Sequence, residues 1–286
     1  MTPGLTHAGH PPLIPQDDAI RTLRQDPAFA DLVRDAYLGR DVADSMRRFA
    51  ESAEFHEVLT LLDGRLHGST VVDIGAGIGI AAAAFQKAGA GRVIAVEPDP
   101  SDEVGRGAMA RANVDIEVIA AVGEDLPLAT GSVDIVYLRQ VLHHSRDLDR
   151  LVAEAARVLR PGGLFLACRE HVVDDQAQLR AFLSAHPVNR LAGGENAFPL
   201  DRYQASIVQA GFTLDRTIGP WESIINAFPV VRSTEELQKL PVARLERRFG
   251  PPGRLLGRIP AVRSLVWRRI DRPEPGRLFT FLAHKA

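Results

Sequence analysis

At residues 71–79 the chain reads Val-Val-Asp-Ile-Gly-Ala-Gly-Ile-Gly. The apolar start is typical of a buried strand, and the glycines predict a tight turn into a helix. Gly75 can take the positive φ of such a turn, Gly77 lets a ligand approach bare backbone, and Gly79 lets the helix pack close to the strand. The first amides of that helix have no partner within it and suit a carboxylate or a phosphate. The stretch therefore predicts a site for a nucleoside-like cofactor.

The spacing of the glycines separates several cofactor classes. A dinucleotide fingerprint requires glycine at position 80, where this chain has Ile80. The chain also lacks the lysine that follows the glycines of a nucleotide-triphosphate loop. Asp73 lies in the strand where dinucleotide-binding folds usually have an apolar residue, and its carboxylate could hold loop amides or an ammonium group. The pattern argues against a nicotinamide oxidoreductase.

A second acidic residue follows the next predicted strand. Residues 92–97 read Arg-Val-Ile-Ala-Val-Glu, and Glu97 lies about 20 residues after the turn, as one strand–helix–strand step requires. In that position its carboxylate would accept hydrogen bonds from both ribose hydroxyls. Three further motifs follow in order: a Gly-Glu-Asp-Leu-Pro-Leu loop at 123–128 with a strand at 131–137, Val-Leu-His-His at 141–144, and a helix end and strand at 157–167.

Taken in order, these five motifs resemble the class I S-adenosylmethionine-dependent methyltransferases over residues 70–170. The resemblance implies that Asp73 and the glycine turn hold the methionine end of S-adenosylmethionine, and that Glu97 binds the ribose. The loop before Leu126 would cover the adenine, but Val122 replaces the usual aspartate, so Glu124 or the Gly123 backbone would make that contact instead. The predicted cofactor-binding residues are Asp73, Gly75, Ala76, Gly77, Gly79, Glu97, Pro98, Gly123, Glu124 and Arg139.

The alternation of strand and helix patterns predicts an α/β fold. We expect a Rossmann-like, seven-stranded, mostly parallel sheet whose last strand, near residues 277–284, is antiparallel and inserted between its neighbours, as the resemblance implies. The predicted organisation is a mobile tail at 1–15, an N-terminal helical cap at 16–66, and a methyltransferase domain at 67–286 with substrate-recognition insertions at 172–199 and 219–275. One longer helix, capped by Asp41, would run to Leu61. Its Phe49 and Phe55 are interpreted as core residues rather than parts of a lid.

Composition limits the location and the class of the protein. With 286 residues, 45% of them hydrophobic, and a net charge of -2, the chain can bury a full core. No apolar run reaches the roughly 20 residues of a membrane span, and the N-terminus lacks a secretion signal, so we expect a cytoplasmic protein. The single Cys168 excludes an intramolecular disulfide and a multi-cysteine metal site.

The second insertion is strongly basic. We weigh three interpretations: a solvated helix surface, a grip on an anionic small substrate, and peripheral contact with an anionic membrane, to which interleaved apolar residues would contribute. Nucleic acid is not expected as a partner, since aromatic platforms are sparse. The sequence leaves the oligomeric state open. The basic residues are Lys239, Arg244, Arg247, Arg248, Arg254, Arg258, Arg263, Arg268, Arg269 and Arg272.

Methyl transfer needs a base only when the nucleophile carries a proton. The catalytic candidates are His144, after the fourth strand, and Glu170 with His171, at the end of the fifth. His143 and His144 cannot both face the ligand, so one of them should be structural, while His186 and Glu195 could complete a polar pocket or a turn. No metal is predicted, because no residues show ligand spacing.

The sequence therefore predicts a biosynthetic methyltransferase. It would transfer the methyl group of S-adenosylmethionine to an oxygen or nitrogen of a small metabolite, and an anionic metabolite is one of the acceptors that the basic insertion would suit. The alternative is a non-catalytic cofactor-binding or scaffold protein with the same fold.

Overall fold

The structure, a computed structural model, describes residues 13–112 and 114–286. Most of the segment predicted as a mobile tail, residues 1–12, lies outside the described part. In the described part, the backbone amide of Ile14 donates to the carbonyl of Leu191 at 2.9 Å, so the chain enters the fold beside the first insertion.

A single seven-stranded sheet forms the centre of the protein, with strand order β3-β2-β1-β4-β5-β7-β6. Strands β1 to β5 pair in parallel, and β7 runs antiparallel between β5 and β6. The predicted fold class, including the inserted antiparallel strand, is confirmed. The strands are β1 Thr70–Ile74, β2 Arg92–Val96, β3 Glu117–Ile119, β4 Val133–Arg139, β5 Leu159–Val172, β6 Phe212–Ile218 and β7 Arg277–Lys285.

Helices cover both faces of the sheet and fill both insertions. In the N-terminal region and between the strands they are α1 Gln16–Gln25, α2 Ala30–Asp35, α3 Val42–Ala50, α4 Ala53–Leu61, α5 Ile80–Lys87, α6 Arg106–Arg111 and α7 Leu148–Val158. The remaining helices are α8 Gln176–Ala185, α9 Pro187–Ala192, α10 Leu200–Gln209, α11 Ile224–Ala227, α12 Thr234–Phe249, α13 Pro251–Leu256 and α14 Pro260–Ile270. None of the helices in the described ranges is long and apolar enough to cross a membrane.

Alternating side chains of the central strands build two apolar layers. Val71 and Tyr137 face the layer formed with α3, α4 and α5, while Val72 and Val136 face the layer formed with α7 and α10. Because successive side chains of a strand point to opposite faces, an apolar run such as that of β1 is buried on both sides. Its carboxyl end, where the glycine turn begins, is thereby fixed.

A row of aromatic rings ties the N-terminal helices to the sheet. Tyr37, Phe49, Phe55, Phe85 and Tyr137 contact one another in sequence, with neighbouring centroids 5.0–5.5 Å apart. Edge-to-face contacts of this kind add to the stabilisation from burial. The interpretation of Phe49 and Phe55 as core residues is confirmed, since both are fully buried.

Two local expectations are corrected. The helix predicted to run from Asp41 to Leu61 breaks after α3, because the Ser52 side chain accepts the amide of Phe55 and caps a second helix. The fifth strand is longer than predicted and carries a bulge, at which Arg169 has a φ of 63°. The bulge changes which way the following side chains point, so Glu170 is turned into the protein.

Candidate active site

The glycine turn between β1 and α5 has the predicted backbone conformation. Gly75, Gly77 and Gly79 all have positive φ. A Cβ on Gly75 would lie 2.6 Å from the side chain of Val141, and one on Gly79 would lie 2.9 Å from that of Met109. The conformation and the crowding both require glycine at these two positions.

Glu97 holds the turn from the end of β2. One carboxylate oxygen accepts the Gly77 amide at 2.7 Å, and the other accepts the Asp99 amide at 2.8 Å. Burial raises the pKa of the Glu97 carboxyl, an effect that these two amide donors oppose. The carboxylate also lines a cavity and can accept further hydrogen bonds there, as a pair of hydroxyls would offer.

Asp73 lies under the same turn and is almost completely buried. Its carboxylate accepts the backbone amide of Ala82, in α5, at 3.1 Å. Burial raises the pKa of Asp73 to about 7, and the negative charge of Glu97 adds to this effect. The two carboxylates are therefore coupled through the turn that they support.

A small cavity of about 150 Å³ lies above Asp73, and Ala76 and Arg139 also line it. Arg139 forms an ion pair with the buried Glu54 of α4, at 2.6 Å, and stacks over the rings of Tyr37 and Phe49. Burial alone would raise the pKa of Glu54, but the Arg139 guanidinium holds it below its usual value. Glu54 was not anticipated from the sequence, because the contact spans 85 residues.

A larger cavity of about 640 Å³ adjoins this one and shares Gly75 and Gly77 with it. This volume is in the range of sites for small molecules and cofactors. The glycine turn, the end of β2, the loop after β3, the segment after β4 and the end of the first insertion all line it. The predicted residues on its wall are Gly75, Gly77, Glu97, Pro98, Gly123, Glu124, His144 and Glu195.

The loop expected to cover the adenine lies along this wall. Val122 faces the cavity beside Gly123. The Glu124 carboxylate accepts the backbone amide of Arg146 at 2.9 Å, and the Glu124 carbonyl accepts from the Arg150 side chain at 2.8 Å. Glu124 therefore joins this loop to the segment after β4.

The two histidines after β4 have different environments. His143 is buried, and its Nδ1 donates to the fully buried Glu170 at 2.7 Å. Glu170 also accepts the amide of Val141, so it lies behind the cavity wall rather than on it. The His144 side chain is 44% exposed and forms part of the wall, opposite Glu195. His144 therefore lies on the cavity wall, whereas His143 lies behind it.

His171 does not pair with Glu170. Its Nδ1 donates to the carbonyl of Gly276 at 2.7 Å, and its ring contacts the rings of His143 and Phe182. Burial lowers the pKa of His171 well below its usual value. The bulge in β5 explains this separation, because it directs the two neighbouring side chains into different contacts.

The basic insertion lies at another cavity, of about 580 Å³. Arg268 and Arg272 line it together with Trp221 and Trp267. The structure thus places these arginines apart from the glycine turn, and the arginines that line the cavity at the turn are Arg146 and Arg150.

Comparison with known sequences identifies the central segment. Residues 72–167 match the methyltransferase domain family. An uncharacterized methyltransferase from Mycobacterium sp. (strain JLS) is 44% identical over 97 residues, which are 34% of this chain and 37% of the relative. One from Mycobacteroides abscessus is 44% identical over 101 residues, 35% of this chain and 39% of the relative. The chain thus spans less than two fifths of the length of these relatives.

Solved structures agree in fold. An S-adenosylmethionine dependent methyltransferase from Mesorhizobium loti has a TM-score of 0.55 and 18% identity, covering 83% of this chain and 100% of that chain. A geranyl diphosphate methyltransferase, solved with GPP and sinefungin, has a TM-score of 0.55 and 16% identity, covering 81% of this chain and 77% of that chain. The chain therefore has the class I S-adenosylmethionine-dependent methyltransferase fold. Its residues 72–167 are similar to the methyltransferase domain family, and S-adenosylmethionine is the cofactor of this class.

Proposed function

We propose that this protein transfers a methyl group from S-adenosylmethionine to an oxygen or nitrogen of a small metabolite. The observation that carries the proposal is one continuous cavity, which begins at the glycine turn and Glu97 and ends at His144 and Glu195. A cofactor at the first end and an acceptor at the second would share a single space. S-adenosylmethionine supplies a sulfonium that is already a good leaving group, so positioning is the main task of the protein.

In this proposal the cofactor lies along the carboxyl ends of β1, β2 and β4. Asp73 and the turn hold the amino-acid end, and Arg139 fixes the wall of the small cavity beside it. Glu97 and Pro98 contact the ribose, and Gly123 with Glu124 contacts the adenine. The raised pKa of Glu97 supports the ribose contact, because hydroxyl donors would replace the solvation that burial removes. The residues of the turn assigned to the cofactor are Gly75, Ala76, Gly77 and Gly79.

The acceptor would lie at the histidine end of the cavity. His144 is on the wall there, and burial, together with the nearby His143, lowers its pKa. A neutral imidazole can take a proton from a hydroxyl or an ammonium group. Glu170 acts in this proposal as a positioning residue, since it reaches the cavity only through His143. His171 supports His143 by ring contact. An anionic group on the acceptor would be bound by Arg146.

Calorimetric titration with S-adenosylmethionine tests the cofactor site. Glu97→Gln should weaken binding by about tenfold or more, because the new amide nitrogen would face a backbone N–H and one acceptor oxygen is lost. Glu117→Gln is the matched control, since Glu117 begins the neighbouring β3 and pairs with Arg92 at the surface. Absence of heat and of a thermal shift with the wild-type protein would refute the proposal.

A non-catalytic cofactor-binding protein is the second candidate. Val122 lies on the cavity wall at a position where class I methyltransferases usually have an aspartate. This departure from the family pattern favours a cofactor-binding protein without activity. Incubation with labelled cofactor and a metabolite extract, followed by mass spectrometry, separates the two. A product heavier by one labelled methyl group supports the enzyme, whereas tight binding without any methylated product supports the scaffold.

We further propose that helices α12–α14 contact an anionic membrane surface. Phe249, Leu255, Leu256, Ile259 and Leu265 are exposed among the arginines of this segment. Apolar side chains flanked by cations are typical of helices that lie in a lipid interface. Sedimentation with phosphatidylserine vesicles should exceed that with phosphatidylcholine vesicles, and equal sedimentation with both would contradict this. Cytoplasmic residence and a biosynthetic role stay predictions.

A further inference from the structure

Three potential metal ligands converge at the acceptor end of the cavity. Nε2 of His143 lies 3.9 Å, and Nε2 of His144 3.7 Å, from the same oxygen of Glu195. One ligand atom from each of the three side chains can be chosen so that all lie within 4.8 Å of one another. The histidines follow β4, whereas Glu195 ends the first insertion, so the cluster forms only when the insertion folds over the sheet.

The hydrogen bonds of the two rings fix where their protons lie. Nδ1 of His143 donates to Glu170, and Nδ1 of His144 faces the carbonyl of Gly194 at 3.4 Å. These acceptors favour the tautomer with the proton on Nδ1, which leaves a lone pair on Nε2 of each ring. Both Nε2 atoms lie within 4 Å of the same Glu195 carboxylate oxygen. Three electron-pair donors that face one another repel unless a cation lies between them.

The cluster offers a cation two ring nitrogens and one carboxylate oxygen. Neutral imidazoles and a carboxylate are the form in which these groups bind metals. A third ring lies close by, because Nδ1 of His186 is 3.6 Å from the second oxygen of Glu195.

We propose that His143, His144 and Glu195 bind one divalent transition-metal ion such as Zn²⁺ or Fe²⁺. Two histidines and one carboxylate form a ligand set for both metals and leave positions free for a substrate. Bonds of about 2.0–2.1 Å place tetrahedral ligands about 3.3 Å apart. The distances of 3.9 and 3.7 Å from the two histidines to Glu195 must therefore shrink by about half an ångström, and the two ring nitrogens must also move closer together. His144 and Glu195 are on the cavity wall, which leaves the free positions facing the acceptor.

Glu170 lies where a carboxylate could support His143 as a metal ligand. It is fully buried and accepts both Nδ1 and the backbone amide of His143. Carboxylates that hold the far nitrogen of a metal-bound histidine orient the ring and strengthen its bond to the metal.

The role of the ion rests on the proposed function, whereas its binding does not. An acceptor hydroxyl on the metal would have a lowered pKa and would lose its proton to water. The oxygen would then form the bond to the methyl carbon as the carbon–sulfur bond breaks. In the metal-bound protein His144 is a ligand, and the ion replaces it in promoting loss of the proton.

Metal titration of the untagged, full-length protein tests the site. After dialysis against EDTA, calorimetry with Zn²⁺ and absorption spectroscopy with Co²⁺ should both show one ion per chain. Glu195→Gln and His144→Gln should remove this binding, and Glu170→Gln should weaken it by about 10–100-fold. His284→Gln is the control, because His284 of β7 pairs with Asp215 of the edge strand β6, so this variant should bind the metal as the wild type does.

The outcomes separate this inference from the proposed function. Binding of far less than one ion, or binding unchanged in both Glu195→Gln and His144→Gln, would overturn the metal site. The His144 variant guards against misfolding, since this side chain is partly exposed. S-adenosylmethionine titrated into the metal-free protein tests the methyltransferase separately. A protein that binds the ion but not the cofactor would retain the metal site and lose the proposed function.

Discussion

The burial of Asp73 makes the stability of the protein depend on pH. Its pKa is raised from 3.8 to about 7 because the carboxylate is desolvated and lies near the negative charge of Glu97, while the backbone amide of Ala82 opposes the rise. A raised pKa means that folding favours the protonated acid. The contribution is fully present below about pH 4 and is lost as pH rises through about 7. At about 1.36 kcal/mol per pKa unit, the full difference is worth about 4 kcal/mol.

Replacing Asp73 with asparagine should remove this dependence. Above about pH 8 the variant should be more stable than the wild type by up to about 4 kcal/mol, and near pH 4 the gain should vanish. Urea unfolding of both proteins at about pH 4, 6 and 8.5 measures the free energy of unfolding. Asp41→Asn is a control for loss of a carboxylate at an exposed helix cap, which asparagine also caps.

The result that would refute this reasoning is a constant difference between wild type and Asp73→Asn across the pH range. Such a result would mean that the carboxylate is solvated or paired in the folded protein. Cofactor titration on the same variant reports a second property. If Asp73 holds the amino-acid end, the variant should bind S-adenosylmethionine more weakly even where it is more stable. The gain in the free energy of unfolding would then equal the stability that the protein loses by keeping a carboxylate at this binding site.

Three further predictions concern Glu54, Gly75 and Cys168. Glu54→Gln should lower the free energy of unfolding by about 3–5 kcal/mol, because Arg139 would stay buried without its partner. Replacing both Glu54 and Arg139 by leucine should restore most of this stability, and equal losses in the single and the double variant would contradict the prediction. Gly75→Ala should abolish cofactor binding in calorimetry, because the new Cβ would clash with Val141 and the residue would have a strained positive φ. Adding Val141→Ala should relieve the clash but not the strain, so full recovery of binding would count against the role of the backbone conformation. Burial raises the pKa of the Cys168 thiol, so this thiol should react with a disulfide reagent only at the rate at which the protein unfolds. Rapid labelling of the folded protein would show instead that the thiol is accessible.

Much of the proposed cofactor site could be predicted from the sequence. The glycine turn, Asp73 and Glu97 are joined by short segments, and each directly follows or ends a strand whose apolar pattern is unambiguous. Parallel strands bring their carboxyl ends to one edge of the sheet, so local patterns were sufficient to bring these residues together. The helix break at Ser52 was missed, because a serine cap competes with an otherwise continuous helical pattern.

The acceptor side depended on tertiary structure. Glu195 meets His144 only because the first insertion folds back over the sheet, and Arg139 meets Glu54 across 85 residues. Glu170 turned inward because a bulge changed the direction of its strand, which no spacing in the sequence indicates. Sequence patterns determine contacts that regular strands and turns produce locally. Contacts between distant segments depend on how whole elements pack, and here that packing decided which side chains share the cavity.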